Sequence, residues 1–141
     1  QCEDLTDIQL DRDFAMGVGS LRKTLLHIYD AECFWQSNWQ GVDAPFLTTP
    51  ISTAISEMRE LWRAMSAKKT AFLVNAGQDK LGIAVNVNFG NGPLEFRLSE
   101  SILQLSVHGT LHRAQATNMI RSTGKSPKAL DYVAWRRVIH N

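Results

Sequence analysis

His108 and His112 stand four residues apart in ILQLSVHGTLHRAQATNMI, a stretch whose apolar residues recur at helical spacing. At about 100° per residue, a four-residue step returns two side chains to nearly the same face, one turn apart. Two imidazoles held that way can grip one divalent metal ion, whereas a strand would hold them too far apart. Extending the row gives Leu105, His108, His112, Gln115 and Met119, so the pair lies on a largely apolar, inward-facing stripe. Such pairs also arise by accident, or as core or surface histidines, and the spacing alone does not decide. A third candidate is His27, on the flank of the apolar stripe in SLRKTLLHIYDAECFW; the fourth histidine, His140, sits at a terminus expected to fray. Three interior histidines from two helices would supply three nitrogen ligands and leave open positions, the pattern of a catalytic rather than a closed structural site. Neutral imidazoles with an open face suit zinc or nickel foremost, with iron, cobalt or manganese as alternatives.

The elements that must position these groups are helical. Ser20 is a plausible N-cap after the Gly17-Val18-Gly19 breaker, opening a helix to about Asn38 with Leu21, Leu25, Ile28, Phe34 and Trp35 as its apolar positions. A loop at 41–45 follows. The clearest helix carries Ile51, Ala54, Ile55, Met58, Leu61, Trp62 and Met65 in an i, i+3, i+4, i+7 stripe, with Pro50 just before it. From Ala71 to Leu98 the chain reads as short strands or extended segments: Ile83, Val85, Val87 and Phe89 alternate, and Asn91-Gly92 is a turn. Helix resumes at Ser99-Glu100-Ser101 and stops at Thr123-Gly124. Ser126-Pro127 is expected to cap a last helix through Leu130, Tyr132, Val133, Trp135 and Ile139, and LTDIQLDRDF supplies one more short turn. Amphipathic helices must bury their stripes against one another, so the expected architecture is a mainly α helical bundle in a single domain over 1–141, with a short β excursion between helices.

Composition excludes several classes. The 141 residues suffice for one domain with a real core, and 44% apolar with 21% charged residues is ordinary for a globular protein. With 15 basic against 14 acidic residues, no global field recruits nucleic acid or an anionic membrane. No apolar run approaches the roughly 20 residues of a spanning helix. The opening QCEDLTDIQL carries no signal-peptide pattern, and two cysteines, Cys2 and Cys33, make no disulfide framework, which suits the cytoplasm.

GSLRKTLLHIYDAECFW, HGTLHRAQ and SPKALDYVAW, in that order, together resemble the DinB family of metal-binding four-helix bundles, the DinB/YfiT-like fold, from about residue 17 to 136. The resemblance implies an up-down-down-up bundle and a metal triad of His27, His108 and His112. The family begins with a long helix for which this chain has no room before residues 3–15. The expectation is therefore a first helix lacking or truncated, or a bundle completed by another subunit. From the apolar stripes left to cover, we expect a homodimer.

The neighbours of the triad have competing readings. Cys33 lies about 600° beyond His27, turned some 120° away, and reads as a small core residue rather than a ligand. Gln115, almost in line with His108, is the candidate catalytic residue, touching substrate or a metal-held water; a glutamine hydrogen-bonded within the bundle is the alternative. Gly109 costs roughly 1 kcal/mol in mid-helix relative to Ala and would permit close approach of a neighbouring helix. Asp30 and Glu32 could orient an imidazole, though solvated carboxylates are commoner. Arg113 would pair with a bundle carboxylate or meet an anionic substrate, and Asp131 with Tyr132 would serve packing or catalysis. Met58, Trp62 and Met65 read as core.

The leading expectation is a metal-dependent enzyme acting on a small molecule. The resemblance adds transfer of low-molecular-weight thiols, with metal-assisted hydrolysis second. The competing class is a non-catalytic stress-response or binding module whose metal only stabilises the bundle. DNA binding finds little support, since Arg136-Arg137 belong to no extended basic stripe. Because ligating imidazoles must be neutral, metal is expected to leave below about pH 6.

Overall fold

The computed structural model describes residues 1–138; Ile139 and His140, assigned above to the last helix and the fraying end, lie outside the described residues. The elements are α1 (Asp7–Asp11), α2 (Leu21–Trp39), α3 (Ile55–Ala76), β1 (Ala84–Asn88), β2 (Pro93–Arg97), α4 (Leu98–Ser122) and α5 (Tyr132–Val138).

Helices α2 and α4 form the central pair, and they run antiparallel. Trp39 Nε1 donates to Ser101 Oγ at 2.8 Å near one end, while Thr24 Oγ1 lies 3.7 Å from Met119 Sδ near the other. Helix α3 runs parallel to α2. Tyr29 meets Trp62 edge-on, Lys69 Nζ donates to Glu32 Oε2 at 2.6 Å, and Trp39 stacks on Phe72. The resulting down-down-up order matches the last three helices of the up-down-down-up bundle that the resemblance implies. Ser20 caps α2 as expected, accepting from Lys23 N–H at 3.2 Å.

Two apolar clusters hold the bundle, and the histidines fall between them. One gathers Phe34, Trp35, Trp39, Leu98 and Leu105 with the buried strand residues Val85 and Val87. The other gathers Leu5, Leu10, Leu21, Ala116, Met119 and Ile120. Along α2 the order is Leu21, His27, Phe34; along α4 it is Leu105, His108, His112, Ala116. Antiparallel packing therefore brings the three imidazoles to one level.

The β excursion is an antiparallel hairpin with Val85 opposite Phe96 and Val87 opposite Leu94. Its turn at 89–92 includes Asn91-Gly92, with Gly92 at φ 105°. Of the four alternating residues only Val85 and Val87 are buried; Ile83 and Phe89 are exposed.

Three boundaries differ from the sequence reading. Helix α3 begins at Ile55, because Thr53 N–H and hydroxyl both bond to Pro50 O in a turn and Arg22 Nη1 holds Thr53 O at 3.2 Å. That keeps the 50–54 segment in a loop and leaves Ile51 51% exposed. Helix α3 also continues to Ala76, since Phe72 and Leu73 keep helical spacing onto the first cluster, and Gly77 at φ 60° ends it. The last helix starts at Tyr132, where Asp131 Oδ1 accepts from Val133 N–H at 2.7 Å, rather than after Ser126-Pro127. Leu130, Tyr132 and Val133 of the stripe assigned to this helix are exposed.

Arg22, itself buried, fastens α1 to α2 through Asp11 and Asp7 as well as to Thr53 O. Arg22→Met is expected to cost about 2 kcal/mol, the scale of charge-assisted hydrogen bonds lost from a buried donor. Chemical denaturation reads this as a lower midpoint; an unchanged midpoint would show that the Met packing offsets the lost bonds.

Candidate metal centre

The side chain of His27 leaves α2 toward α4, and those of His108 and His112 leave α4 one turn apart. Their ring centroids stand 4.6 Å (His27–His112), 4.9 Å (His27–His108) and 4.5 Å (His108–His112) apart. One nitrogen from each lies within 4.8 Å of the other two. His27 Nε2 and His108 Nε2 are 3.1 Å apart. Nitrogens bound to one tetrahedral ion at 2.0–2.1 Å would be separated by about 3.3 Å, so the residues fit a divalent cation. Two imidazole lone pairs at that distance repel unless a proton or a metal lies between them. The family resemblance implied a triad of these three residues, and the structure brings them together.

The electrostatics favour neutral rings. Burial first, then His112 and His27, press His108 down to about 4. Burial and His112 also lower His27, against a smaller upward pull from Asp30. Neutral imidazoles are the ligating form. The outer nitrogens differ. His112 Nδ1 lies 2.8 Å from Gln115 Oε1, a side-chain acceptor. His108 Nδ1 is buried without a hydrogen-bond partner.

Several neighbours depart from their sequence-based reading. Gln115 takes its alternative reading, hydrogen-bonded within the bundle to His112. Asp30 and Glu32 are buried rather than solvated, and neither bonds an imidazole. Asp30 accepts from the Thr49 backbone and hydroxyl, fastening the 40–54 loop, and Glu32 pairs with Lys69. At Gly109 the nearest side chain is that of Arg113: a Cβ there would stand 2.7 Å from its Nη1, so the glycine makes room for a guanidinium of its own helix. Arg113 has no carboxylate within ion-pair distance, and among the described residues it is the only Arg or Lys shielded from full exposure of which this is true. Cys33 is half-buried and hydrogen-bonded to Tyr29, and burial pushes its thiol up, away from a reactive thiolate. Met58 and Met65 are buried and Trp62 half-buried, as core. Asp131 caps α5, and Tyr132 is exposed beside it.

Two contributors were missed in the sequence. Phe46, from the α2–α3 loop, sets its ring 5.7 Å from both His27 and Phe34, adding an apolar wall. A lone aromatic one residue past Pro45 was the available signal. Gly17 was taken for a helix breaker alone, and it also abuts Gln115.

Comparison with known proteins agrees with this architecture. The family model described as "DinB family" matches residues 1–138. A crystal structure of a DinB-like protein from Bacillus cereus superposes with a TM-score of 0.58 at 22% identity, covering 89% of this chain and 83% of that one. No curated protein matches the chain.

Proposed function

Since the chain belongs to the DinB family, we propose that it is a metal-dependent enzyme that holds zinc or nickel on His27, His108 and His112 within a single domain. The observation that carries this reading is the convergence of three ring nitrogens within 4.8 Å. A divalent ion there supplies a Lewis acid and lowers the pKa of whatever occupies its open position. The chain's own residues would do the rest. Phe46 and Phe34 limit water on the His27 side, and Gln115 keeps His112 in its ligating tautomer. Arg113, lacking a carboxylate partner, is available to an anionic group of the substrate. Transfer of a low-molecular-weight thiol is the reaction we favour, with hydrolysis second.

No helix among the described residues is long and apolar enough to cross a membrane. A cytoplasmic location is part of the proposal, and so is self-association as a homodimer. Leu103, Val107 and Leu111 lie one turn apart along one α4 face, 64%, 58% and 56% exposed.

Metal analysis and chelation of the purified protein test the proposal. We expect about one ion per chain, a dimer in sedimentation, and loss of turnover on a panel of small thiols with an electrophilic acceptor after stripping. The melting temperature should fall by only about 4 °C, the effect of roughly 1 kcal/mol. A much larger fall with no thiol turnover before stripping would favour a stabilising ion, and absence of metal would refute the reading. A sedimenting monomer would remove the homodimer.

A further inference from the structure

The segment before α2 turns tightly. Phe14 N–H donates to Gly19 O at 2.6 Å, and Gly19 N–H donates to Met16 O at 3.1 Å. Gly17 lies in this turn at φ 56°, in the left-handed region that favours glycine. Its missing side chain matters for a second reason. A Cβ at Gly17 would stand 2.6 Å from Gln115 Oε1, 3.0 Å from Cδ and 3.4 Å from Nε2. The carboxamide of Gln115 therefore occupies the space a Gly17 side chain would need, and its oxygen lies 2.8 Å from His112 Nδ1. His108, one turn earlier on the same helix, has no such partner for its buried Nδ1.

We propose that Gln115, seated by Gly17, is a positioning residue that fixes His112 as the Nδ1–H tautomer and so presents the Nε2 lone pair to the other two imidazoles before any metal arrives. A line from the turn at 14–19 through Gln115 to His112 thus ties a loop outside the α2–α4 pair to the site. The consequence for affinity rests on the metal-binding reading; the consequence for the tautomer does not. An imidazole whose outer N–H is already bonded loses less freedom on ligation, and removing such a partner typically weakens metal binding 10–100-fold.

The test combines nitrogen-detected NMR of the metal-free protein with zinc affinity by competition against a chromophoric chelator. In Gln115→Leu, the Nδ1–H tautomer of His112 should lose its dominance and zinc affinity should fall by about 10–100-fold. Gln115→Glu retains an acceptor oxygen and should restore both. Gly17→Ala should move both in the same direction as Gln115→Leu. Gly19→Ala, at φ 100° and out of reach of Gln115, serves as the control for backbone strain and should move neither. A His112 that keeps its Nδ1–H in Gln115→Leu, or a Gly17→Ala protein with wild-type tautomer and affinity, overturns the proposal. Should wild type bind no zinc, the metal reading fails, and the tautomer measurement still decides the role of Gln115.

Discussion

Replacing His108 or His112 by alanine takes bound divalent metal from about one ion per chain to below about a tenth of that, because the loss of a direct ligand exceeds the 10–100-fold cost of losing an outer partner. His27→Ala behaves alike, although His27 lies 81 residues from His108 in the chain. The three substitutions should be equivalent, since no two of the rings make a site without the third. Cys33→Ala is the control. Its thiol is bonded to Tyr29 and does not belong to the triad, so metal content should stay at the wild-type level. The metal-free protein should tolerate His108→Ala well. A buried Nδ1 without a partner is a standing cost of about 1–3 kcal/mol, and its removal offsets part of the cavity left behind. What disappears is the metal-dependent rise in melting temperature. Full metal occupancy in either α4 variant would remove the triad as the binding site.

The pair on α4 was legible because an i, i+4 spacing requires nothing but a helix, and the apolar row from Leu105 to Met119 declared which way that helix faces. The third ligand was another matter. Spacing within α2 says that His27 sits near an apolar stripe; it does not say that α2 and α4 run antiparallel at the level where 27 meets 108. That register follows from Trp39 reaching Ser101 and Leu21 packing with Met119, contacts between residues 62 or more positions apart. Only the resemblance to a known family supplied it beforehand. The errors share a cause. Ile51 continues a helical stripe on paper, yet a buried arginine 31 residues away holds Thr53 O and keeps the chain in a loop. Ala71 to Ala76 reads as strand because Phe and Val are strand formers, yet packing of Phe72 onto Trp39 keeps the segment helical. Asp30 and Glu32 looked solvated because charged residues usually are; each is buried against a partner from the next loop or helix. Gly17 punctuated the sequence as a breaker, and nothing local could show that Gln115, nearly a hundred residues on, lies where its side chain would be.

Acid should release the metal in a window set by these same contacts. Burial first, and then the repulsion between imidazoles this close, press His108 to about 4 and hold His27 below the ordinary 6.5. At neutral pH the lone pairs are therefore free, and protons compete weakly with a cation. Zinc affinity should be flat from about pH 8 to 7 and should fall about tenfold per unit for each ligand proton taken up at lower pH. The metal-free protein carries the same signature with a defined sign. Between a folded value near 4 and an unfolded value of 6.5, the unfolded chain binds more protons, so stability rises with pH across that interval. Its melting temperature should be lower at pH 5 than at pH 7, and His108→Ala should shrink that difference. An identical pH dependence in wild type and variant would show that His108 is not the group being forced to stay neutral.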